Sequence, residues 1–510
     1  MKVIWKILFI VAVFLPRLII PDNFFIQDEQ PWVDRSQVYV NSLFAGDFAG
    51  AVRFPLSNHP AIPLMTVVGP VVNIYQWSHG LKNTYEAWSF DDKREAAVWA
   101  RYIWGIACSV ALMLLYGTIT NVALFKKREV EAALFVVLFG LEPWIWGISR
   151  SVSVDVLMAI SVVGMLLSAV VAYEKRSIIW TGAAGAWFAL AFTSKSPALI
   201  TAPIAFILAS YIPRASYKEI AKRASVFFGT AYVFMCVIWP PFILHPIRRI
   251  LDVLSRAELH STVQEIYYWP GYHPPLFVFT LSSFAFVGCL LYCWYRFVEI
   301  RKNGFQFAPL DVLLLAGLWH GLLLIYLNGD HARKNLPAIA ILACIGIIGW
   351  LTLLMRHKVD KMIMIGGLIA LQGIFIWPYF PHVISSYNIL FPSEDGKRLL
   401  VDVGNGSRLI SEYINNSDPE AVFSIPMDSL VAPYVDATKR GNIRGLPNEG
   451  SIKNLDPEVT ELIIPESLPA RTGFDSAARL LLEQLQGETP KTILSVRDVP
   501  MFLVYSINHE

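Results

Sequence analysis

The sequence contains little charge, and this shortage limits what the protein can be. Asp, Glu, Lys and Arg together make up 16% of the 510 residues, hydrophobic residues make up 55%, and the mean hydropathy is +0.49. No soluble fold of this length needs so much apolar surface, so the composition indicates a polytopic membrane protein. The formal net charge is only +2, and no basic stripe with interleaved aromatic residues is present. The sequence therefore predicts no nucleic-acid partner.

Cysteine is also scarce, and several short motifs are missing. The chain has 5 cysteines, all in apolar runs, which predicts a packing role and no disulfide framework. No histidine pair has the spacing of a zinc motif, and no glycine-rich phosphate loop follows a strand pattern. We find no internal repeat and no low-complexity tract. The sequence therefore predicts neither a zinc site nor a glycine-rich phosphate loop.

Long apolar runs recur along the first three quarters of the chain. A membrane-spanning helix needs about 20 apolar residues, and about eleven runs approach or reach that length. The N-terminal run has no small-residue cleavage site before Pro21, so we interpret it as an uncleaved anchor. The runs lie near residues 3–20, 98–125, 130–148, 153–173, 178–194, 197–212, 224–243, 276–296, 309–327, 335–355 and 361–380.

The charges between the runs predict an orientation. Lys and Arg concentrate in alternate short connections, such as Lys126-Lys127-Arg128 and Lys175-Arg176, and the positive-inside rule makes that side cytoplasmic. The N-terminus is then inside and the C-terminal region outside. We therefore predict a helical transmembrane domain over residues 1–380 and a small extracytoplasmic α/β domain over residues 381–510. The second domain has strand-like runs AVFSIP, ELIIP and MFLVYSI, and a helical run SAARLLLEQLQ.

The side opposite the basic loops holds most of the unusual polar residues. Asp28 and Glu29 open a first external loop, about 21–97, which also contains His59 and apolar stretches that we interpret as interfacial helices. Each of these polar residues also has a purely structural interpretation: Arg150 pairing with Asp155, Lys195 extending to the membrane surface, and histidines hydrogen-bonded within loops. The later external segments contribute Arg150, Asp155, Lys195, His273 and Arg333.

The joint placement of these residues favours a chemical interpretation. Acidic and basic side chains converge on one face of the membrane, in loops short enough to share a cavity. Carboxylates on one wall and Lys or Arg on another suit a lipid substrate that carries a phosphate.

In these residues the chain resembles the C-type glycosyltransferase superfamily. The most similar group is family 39, which contains the protein O-mannosyltransferases and the bacterial aminoarabinose transferases that modify lipid A. The resemblance covers about residues 1–380 and depends on the order of its motifs rather than on any single motif. The motifs are Asp28-Glu29, Ala45 to Phe48, His59-Pro60, Ala100-Arg101, the SRSVSVD segment, the ALAFTSKSPAL segment and the HARKNLPAIAIL segment.

The resemblance implies an inverting transfer of a sugar from a polyprenyl-phosphate donor to a hydroxyl group. It assigns Asp28 as the general base and Asp155 as a second catalytic acid that orients the acceptor or holds a cation. It also assigns Lys195 and Arg333, and more weakly Arg150, to the departing phosphate. Glu29 orients Asp28 or contacts the donor sugar, and His59 and His273 line the sugar pocket. Some relatives use a divalent cation, but no residue here requires one, and we predict no metal ligand.

Several alternatives stay open from the sequence. The acceptor is either a protein Ser/Thr or a glycolipid, and membrane lipids surround the site in both cases. A transporter or flippase for lipid-linked saccharides would also explain the spans and the charges, although transport sites usually lie near the midplane between repeated halves. A non-catalytic subunit of a glycan-assembly complex is the third candidate. The chain ends without a reticulum-retention signal, which favours a bacterial inner membrane.

Overall fold

A computed structural model of the chain describes most of the N-terminal three quarters and the main elements of the C-terminal quarter. The described residues are 3–19, 29–48, 50–52, 60–82, 84–211, 215–244, 246–251, 281–326, 336–356, 360–377, 409–425, 435–436, 438–446, 452–465, 480–481, 484–485, 488–496 and 499–507.

The N-terminal three quarters form α-helices, and each predicted apolar run contains one. A long apolar segment in lipid must satisfy its backbone hydrogen bonds within itself, and an α-helix does so. The helices are α1 (Val3–Leu18), α2 (Glu29–Phe44), α3 (Ile62–Ser78), α4 (Phe90–Ile119), α5 (Glu129–Gly140), α6 (Pro143–Ser149), α7 (Val154–Lys175), α8 (Ile178–Ser194), α9 (Ala202–Ser210), α10 (Tyr217–Ile238), α11 (Ser283–Asn303), α12 (Asp311–Tyr326), α13 (Leu336–Arg356) and α14 (Lys361–Ile376).

The protein is an integral, multi-pass membrane protein. Within the described residues, five helices are long and apolar enough to cross a bilayer, namely α4, α7, α10, α11 and α13. Helices α5 and α6 add a sixth span if they are taken as one, although their axes differ by 68°. The polytopic helical fold predicted from the sequence is confirmed, and the count of about eleven spans stays a prediction.

Helix α7 lies at the centre of this helical region. It is apolar on all sides, and its most apolar 18-residue window is 100% buried by protein. It packs against α4, α8, α9 and α13. A helix that is hydrophobic all round belongs in an interior, and α7 accordingly holds its N-terminal residues in a fixed place.

Helices α11 and α13 approach each other closely because glycines face the contact. A Cβ atom on Gly288 would lie 2.1 Å from the carbonyl oxygen of Gly346, and a Cβ on Gly349 would lie 2.0 Å from that of Gly288. Small residues let helix backbones pack closely inside membranes, where the hydrophobic effect between helices is weak. This pair ties the later helices to the α7 core.

Helices α2 and α3 occupy the predicted first external loop. They pack together through Gly69, where a Cβ would lie 2.3 Å from the Ser36 carbonyl oxygen. The amide of Ala61, just before α3, donates to the carbonyl of Ser194 at the end of α8, 3.1 Å away. These contacts attach the external helices to the end of α8, next to Lys195.

The C-terminal quarter contains a five-stranded mixed sheet. The strands are β1 (Phe423–Ile425), β2 (Ile443–Gly445), β3 (Glu461–Pro465), β4 (Thr492–Val496) and β5 (Val499–Ser506), in the order β2-β1-β3-β5-β4. β1 is parallel to β2 and β3, whereas β5 is antiparallel to β3 and β4.

Side chains alternate between the two faces of this sheet, and both faces are covered. Along β3, Ile463 belongs to one apolar cluster, while Leu462 and Ile464 belong to the other. This alternation is what the two-residue period of a strand imposes. The three predicted strand runs are β1, β3 and β5, and the boundary predicted at residues 380–381 lies outside the described residues.

One ion pair joins the sheet region to the helices. The guanidinium of Arg440 donates to both carboxylate oxygens of Asp91, over 3.1 and 2.9 Å. Asp91 lies in the first turn of α4, and the Arg440 guanidinium also donates to its own loop at Val435. The C-terminal region therefore contacts the beginning of α4.

Candidate functional site

The segment 150–155 between α6 and α7 brings the candidate residues together. Its sequence, RSVSVD, is contacted by α2, α4, the end of α8 and the residue that follows α1. Ser153 caps α7, because its hydroxyl accepts from the Asp155 amide and also hydrogen-bonds the Asp155 carboxylate at 3.0 Å. The indole of Trp104 in α4 donates to the Ser153 carbonyl, 3.0 Å away. The buried start of α7 thus orients Asp155.

Glu29 forms a buried, bidentate ion pair with Arg101. The Nε and Nη2 atoms of Arg101 each donate to a different Glu29 oxygen, both over 2.8 Å. The Glu29 side chain is 0% exposed and that of Arg101 3% exposed. The Val152 amide donates to the same carboxylate over 2.8 Å. Glu29 therefore fixes the start of α2 against α4 and the 150–155 segment.

Lys195 pairs with Asp155. Its ammonium nitrogen lies 2.5 Å from the Asp155 Oδ1 atom, and both side chains are buried. The last turn of α8 ends at Lys195, whose extended backbone directs the chain into the next 3-10 turn. The Lys195 ammonium is thus directed at Asp155, a pairing that the sequence did not predict.

Arg150 lies at the end of α6, two residues before Val152. Its guanidinium donates to the Ile19 carbonyl over 3.2 Å and lies 5.1 Å from the ring centroid of Trp146. The Trp146 indole in turn donates to the Pro16 carbonyl over 2.6 Å. The residues at and after the end of α1 therefore contact both Trp146 and Arg150.

The electrostatics of this region follow from these contacts. The Glu29–Arg101 and Lys195–Asp155 pairs each join a carboxylate to a cation, and Arg150 is a further cationic residue at the start of the same 150–155 segment. Buried ion pairs gain little stability over apolar residues, but losing one partner leaves an uncompensated charge. Such an arrangement is rigid, and it suits recognition of an anion that can share the Lys195 and Arg150 charges.

Four predicted site residues lie outside the described part of the chain: Asp28, His59, His273 and Arg333. The described residues thus unite Glu29, Arg150, Asp155 and Lys195, which are separated in the sequence by up to 166 positions (195 minus 29). Among the described residues, no group of three His, Cys, Asp or Glu side chains could hold a metal ion.

The sequence reasoning gave no site role to Arg101, Ser153 or Glu142. Arg101 entered only as part of a motif, although a charged residue inside a predicted span is a functional candidate by default. That rule would also have identified Glu142, a fully buried carboxylate. Ser153 carries a weaker signal, a Ser two residues before the acid that begins a helix.

Comparisons with known proteins agree with the resemblance. Residues 90–243 match the model of the dolichyl-phosphate-mannose-protein mannosyltransferase family. A sequence comparison with curated proteins finds no match.

Among solved structures, the chain is similar to the oligosaccharyltransferase of Archaeoglobus fulgidus in the apo form, with 13% identity, 91% of this chain and 70% of that chain covered, and a TM-score of 0.47. It is also similar to ArnT from Cupriavidus metallidurans bound to undecaprenyl phosphate. The identity is 11%, the match covers 99% of this chain and 98% of that chain, and the TM-score is 0.41.

The matched family segment contains Arg101, Arg150, Asp155 and Lys195, the residues that form most of the buried charge network. In that segment the chain matches the sequence pattern of the dolichyl-phosphate-mannose-protein mannosyltransferase family, to whose superfamily the motifs show a resemblance.

Proposed function

We propose that the protein transfers a sugar from a polyprenyl-phosphate donor to a hydroxyl group of a glycolipid or protein, with inversion at the anomeric carbon. The observation that carries this proposal is the convergence of buried charges on residues 150–155. The family whose model matches residues 90–243 is described by a dolichyl-phosphate-linked sugar and a protein acceptor, which supports the same class of donor.

Asp28 is the proposed general base. The acceptor oxygen attacks the anomeric carbon, its proton passes to the Asp28 carboxylate, and the bond from that carbon to the phosphate oxygen breaks. Adjacent Cα atoms are about 3.8 Å apart, so anchoring of Glu29 by Arg101 and Val152 also restricts where Asp28 can lie. Glu29 is accordingly a positioning residue in this proposal, or a contact to the donor sugar.

Lys195, Arg333 and Arg150 offset the negative charge that grows on the leaving phosphate. Asp155 holds the Lys195 ammonium in place, since their contact of 2.5 Å is buried. An incoming phosphate would share this ammonium with Asp155, and Arg150 would supply a second positive charge from the same 150–155 segment. His59 and His273 line the sugar pocket, and the reaction takes place on the extracytoplasmic face of a bacterial inner membrane.

The first experiment combines donor and acceptor panels. The purified protein is offered polyprenyl-phosphate sugars together with a membrane-lipid extract or a Ser/Thr-rich peptide, and release of free polyprenyl phosphate is measured. We expect release that requires one acceptor and that falls about a hundredfold in Asp28→Asn, the scale of losing a general base.

The matched control is Asp34→Asn, which removes another carboxylate from α2, six positions further along the chain. We expect this variant to retain most of the activity. Equal activity of Asp28→Asn and the wild type would remove Asp28 from its role. Movement of the donor across liposomes without any transfer would instead identify a flippase.

A further inference from the structure

The break between α5 and α6 contains a buried carboxylate that the proposed reaction does not use. Glu142 is 0% exposed, and its two carboxylate oxygens accept from the Ser282 amide over 3.0 Å and the Ser282 hydroxyl over 2.7 Å. Ser282 is the N-cap of α11, and its hydroxyl accepts from the Ala285 amide over 3.1 Å. Glu142 therefore adds two hydrogen bonds to the N-cap residue of α11, which lies 140 positions later in the sequence.

A buried cation occupies the other side of the same break. Arg17 donates to the carbonyl of Gly140, the last residue of α5, over 2.6 Å, and to that of Val13 over 2.7 Å. A Cβ at Gly140 would lie 2.8 Å from the Arg17 Nη2 atom, so a larger residue there would displace the guanidinium. Among the described residues, neither Arg17 nor Glu142 forms an ion pair. Each faces a helix end of opposite partial charge: the C-terminus of α5 for Arg17 and the N-terminus of α11 for Glu142.

The break leads directly to Arg150. The Glu142 carbonyl accepts from the Trp146 amide over 2.8 Å and so begins α6. The Trp146 ring then lies under the Arg150 guanidinium, with 5.1 Å to its centroid. A shift of the Glu142 backbone would therefore move Trp146, one helical turn later, and with it the Arg150 guanidinium that contacts the Trp146 ring.

At the N-terminus of α11, burying a carboxylate costs more free energy than burying a neutral capping side chain. A Ser or Asn side chain would satisfy the first amides of a helix without burying a charge. Charged acceptors do, however, form shorter and stronger hydrogen bonds, which hold two segments more firmly. An ionisable residue in a membrane interior is a functional candidate for this reason.

The geometry points to Glu142 as a positioning residue for the donor phosphate. Its carboxylate attaches the α5–α6 break to the start of α11, and this attachment holds α6 so that Arg150 faces the phosphate beside Lys195. The inference rests on the proposed function for the identity of the anion. It concerns a residue that touches neither substrate nor reacting atoms, and that acts through Trp146 and Arg150.

The test compares Glu142→Ala, Glu142→Gln, Ser282→Ala and the Glu142→Ala/Ser282→Ala double variant in the full-length protein. The matched control is Glu131→Gln, which removes another buried carboxylate from α5. Two quantities are measured beside thermal stability: kcat/KM for transfer, and the Kd for undecaprenyl phosphate alone.

We expect Glu142→Ala to lower kcat/KM and to weaken undecaprenyl phosphate binding about tenfold or more, because a displaced binding group loses its alignment. Glu142→Gln keeps an oxygen for the Ser282 amide and should recover at least half of that loss on a logarithmic scale. In kcat/KM and binding the double variant should lose little more than Glu142→Ala, since both changes remove the contact between Glu142 and Ser282. Ser282→Ala also removes the hydroxyl that caps α11, and that loss should appear in the thermal stability. Glu131→Gln should bind and react like the wild type.

Wild-type binding and turnover in folded Glu142→Ala would overturn the inference. So would equal losses in Glu142→Gln and Glu142→Ala, since a role through the hydrogen bond predicts rescue. If Glu142→Ala does not fold, wild-type kcat/KM and binding in Ser282→Ala, which removes one of the two hydrogen bonds to Glu142, would overturn it instead. If the wild type shows no transfer but its affinity for undecaprenyl phosphate depends on Glu142 as described, the positioning role stands and the proposed reaction fails.

Discussion

The helical region and the C-terminal sheet use their charges differently. In the helical region the site pairs are buried: the Arg101 and Glu29 side chains are 3% and 0% exposed. In the sheet region Arg444 pairs with Glu458 at exposures of 33% and 69%. Exposed pairs contribute about 0–1 kcal/mol, whereas removing one partner of a buried pair costs about 3–5 kcal/mol. The buried pairs therefore fix the positions of the candidate site residues, whereas the exposed pairs contribute little to stability.

The two regions also differ in how their backbones meet. Helices of the membrane region approach through glycines, as at Gly288 and Gly346, so the contact is made by backbone atoms. The sheet is instead held by apolar side chains on both faces, such as Ile463 on one side and Leu462 on the other. Added volume should consequently be tolerated less in the helical contact than on the sheet surface.

The largest expected effect is that of Arg101→Met. It leaves Glu29 buried with only the Val152 amide of its present site contacts, and we expect a loss of about 3–5 kcal/mol in the free energy of unfolding. Transfer activity should fall as well, because the start of α2 is released. Denaturant titration in detergent measures the first effect. Arg94→Met, an exposed arginine on the same helix, is the control and should cost about 1 kcal/mol or less. Equal losses would contradict the distinction between buried and exposed pairs.

A smaller loss is expected from Gly288→Ala. The added methyl group would meet the Gly346 carbonyl, so α11 and α13 must separate, at a cost of about 1–3 kcal/mol. Thermal unfolding followed by tryptophan fluorescence checks this. Gly367→Ala provides the control, since nothing lies within 4 Å of its Cβ position, and it should leave the protein as stable or make it slightly more stable. Unchanged stability of Gly288→Ala would show that the helix contact can open at no cost.

The contact between the two regions should be weak and salt-dependent. Charge reversal at Arg440 or Asp91 alone should cost about 1 kcal/mol or less, because Asp91 is 59% exposed. Limited proteolysis of the C-terminal region measures the effect, and we expect faster cleavage at low ionic strength in each single variant. The double reversal, Arg440→Asp with Asp91→Arg, should restore the wild-type rate. A double variant cleaved as fast as the single ones would show that the pair does not hold the regions together.

The smallest effect concerns Lys491, and it depends on pH. Its hydrogen bond to Glu461 raises the pKa of the Lys491 ammonium, although burial opposes this. A pKa raised on folding stabilises the protein below the unfolded value of about 10.4, and this contribution disappears as pH rises through the folded value. The stability difference between wild type and Lys491→Met should thus be constant near neutral pH and vanish in strong alkali.

Tyr413 must be controlled in that experiment. Its hydroxyl also donates to Glu461, over 2.7 Å. Burial, and after it the Glu461 contact, raise the pKa of this hydroxyl, so its contribution to stability is also lost as the pH rises. The comparison is therefore repeated in a Tyr413→Phe background. A difference that persists unchanged in strong alkali would assign the contribution of Lys491 to packing rather than to its charge.

Local patterns in the sequence predicted the elements well. The apolar runs became helices, and AVFSIP, ELIIP and MFLVYSI became β1, β3 and β5. Strand β2 and strand β4 were not predicted, because IRG is too short for a periodic signal and TILSV lies in a polar surrounding. The candidate site was predicted in its residue types but not in its pairings.

The sequence alone determined the apolar spans and predicted one shared site for Asp155 and Lys195, through their residue types, their order and their side of the predicted membrane; the two side chains are in contact. Only the tertiary structure decided that Asp155 pairs with Lys195, that Arg101 pairs with Glu29, and that Glu142 accepts hydrogen bonds from Ser282, the N-cap of α11. The physical reason is the distance along the chain over which each signal acts. Hydropathy and periodicity act over neighbouring residues, whereas the partner of a buried charge depends on which distant helix ends packing brings within hydrogen-bond distance.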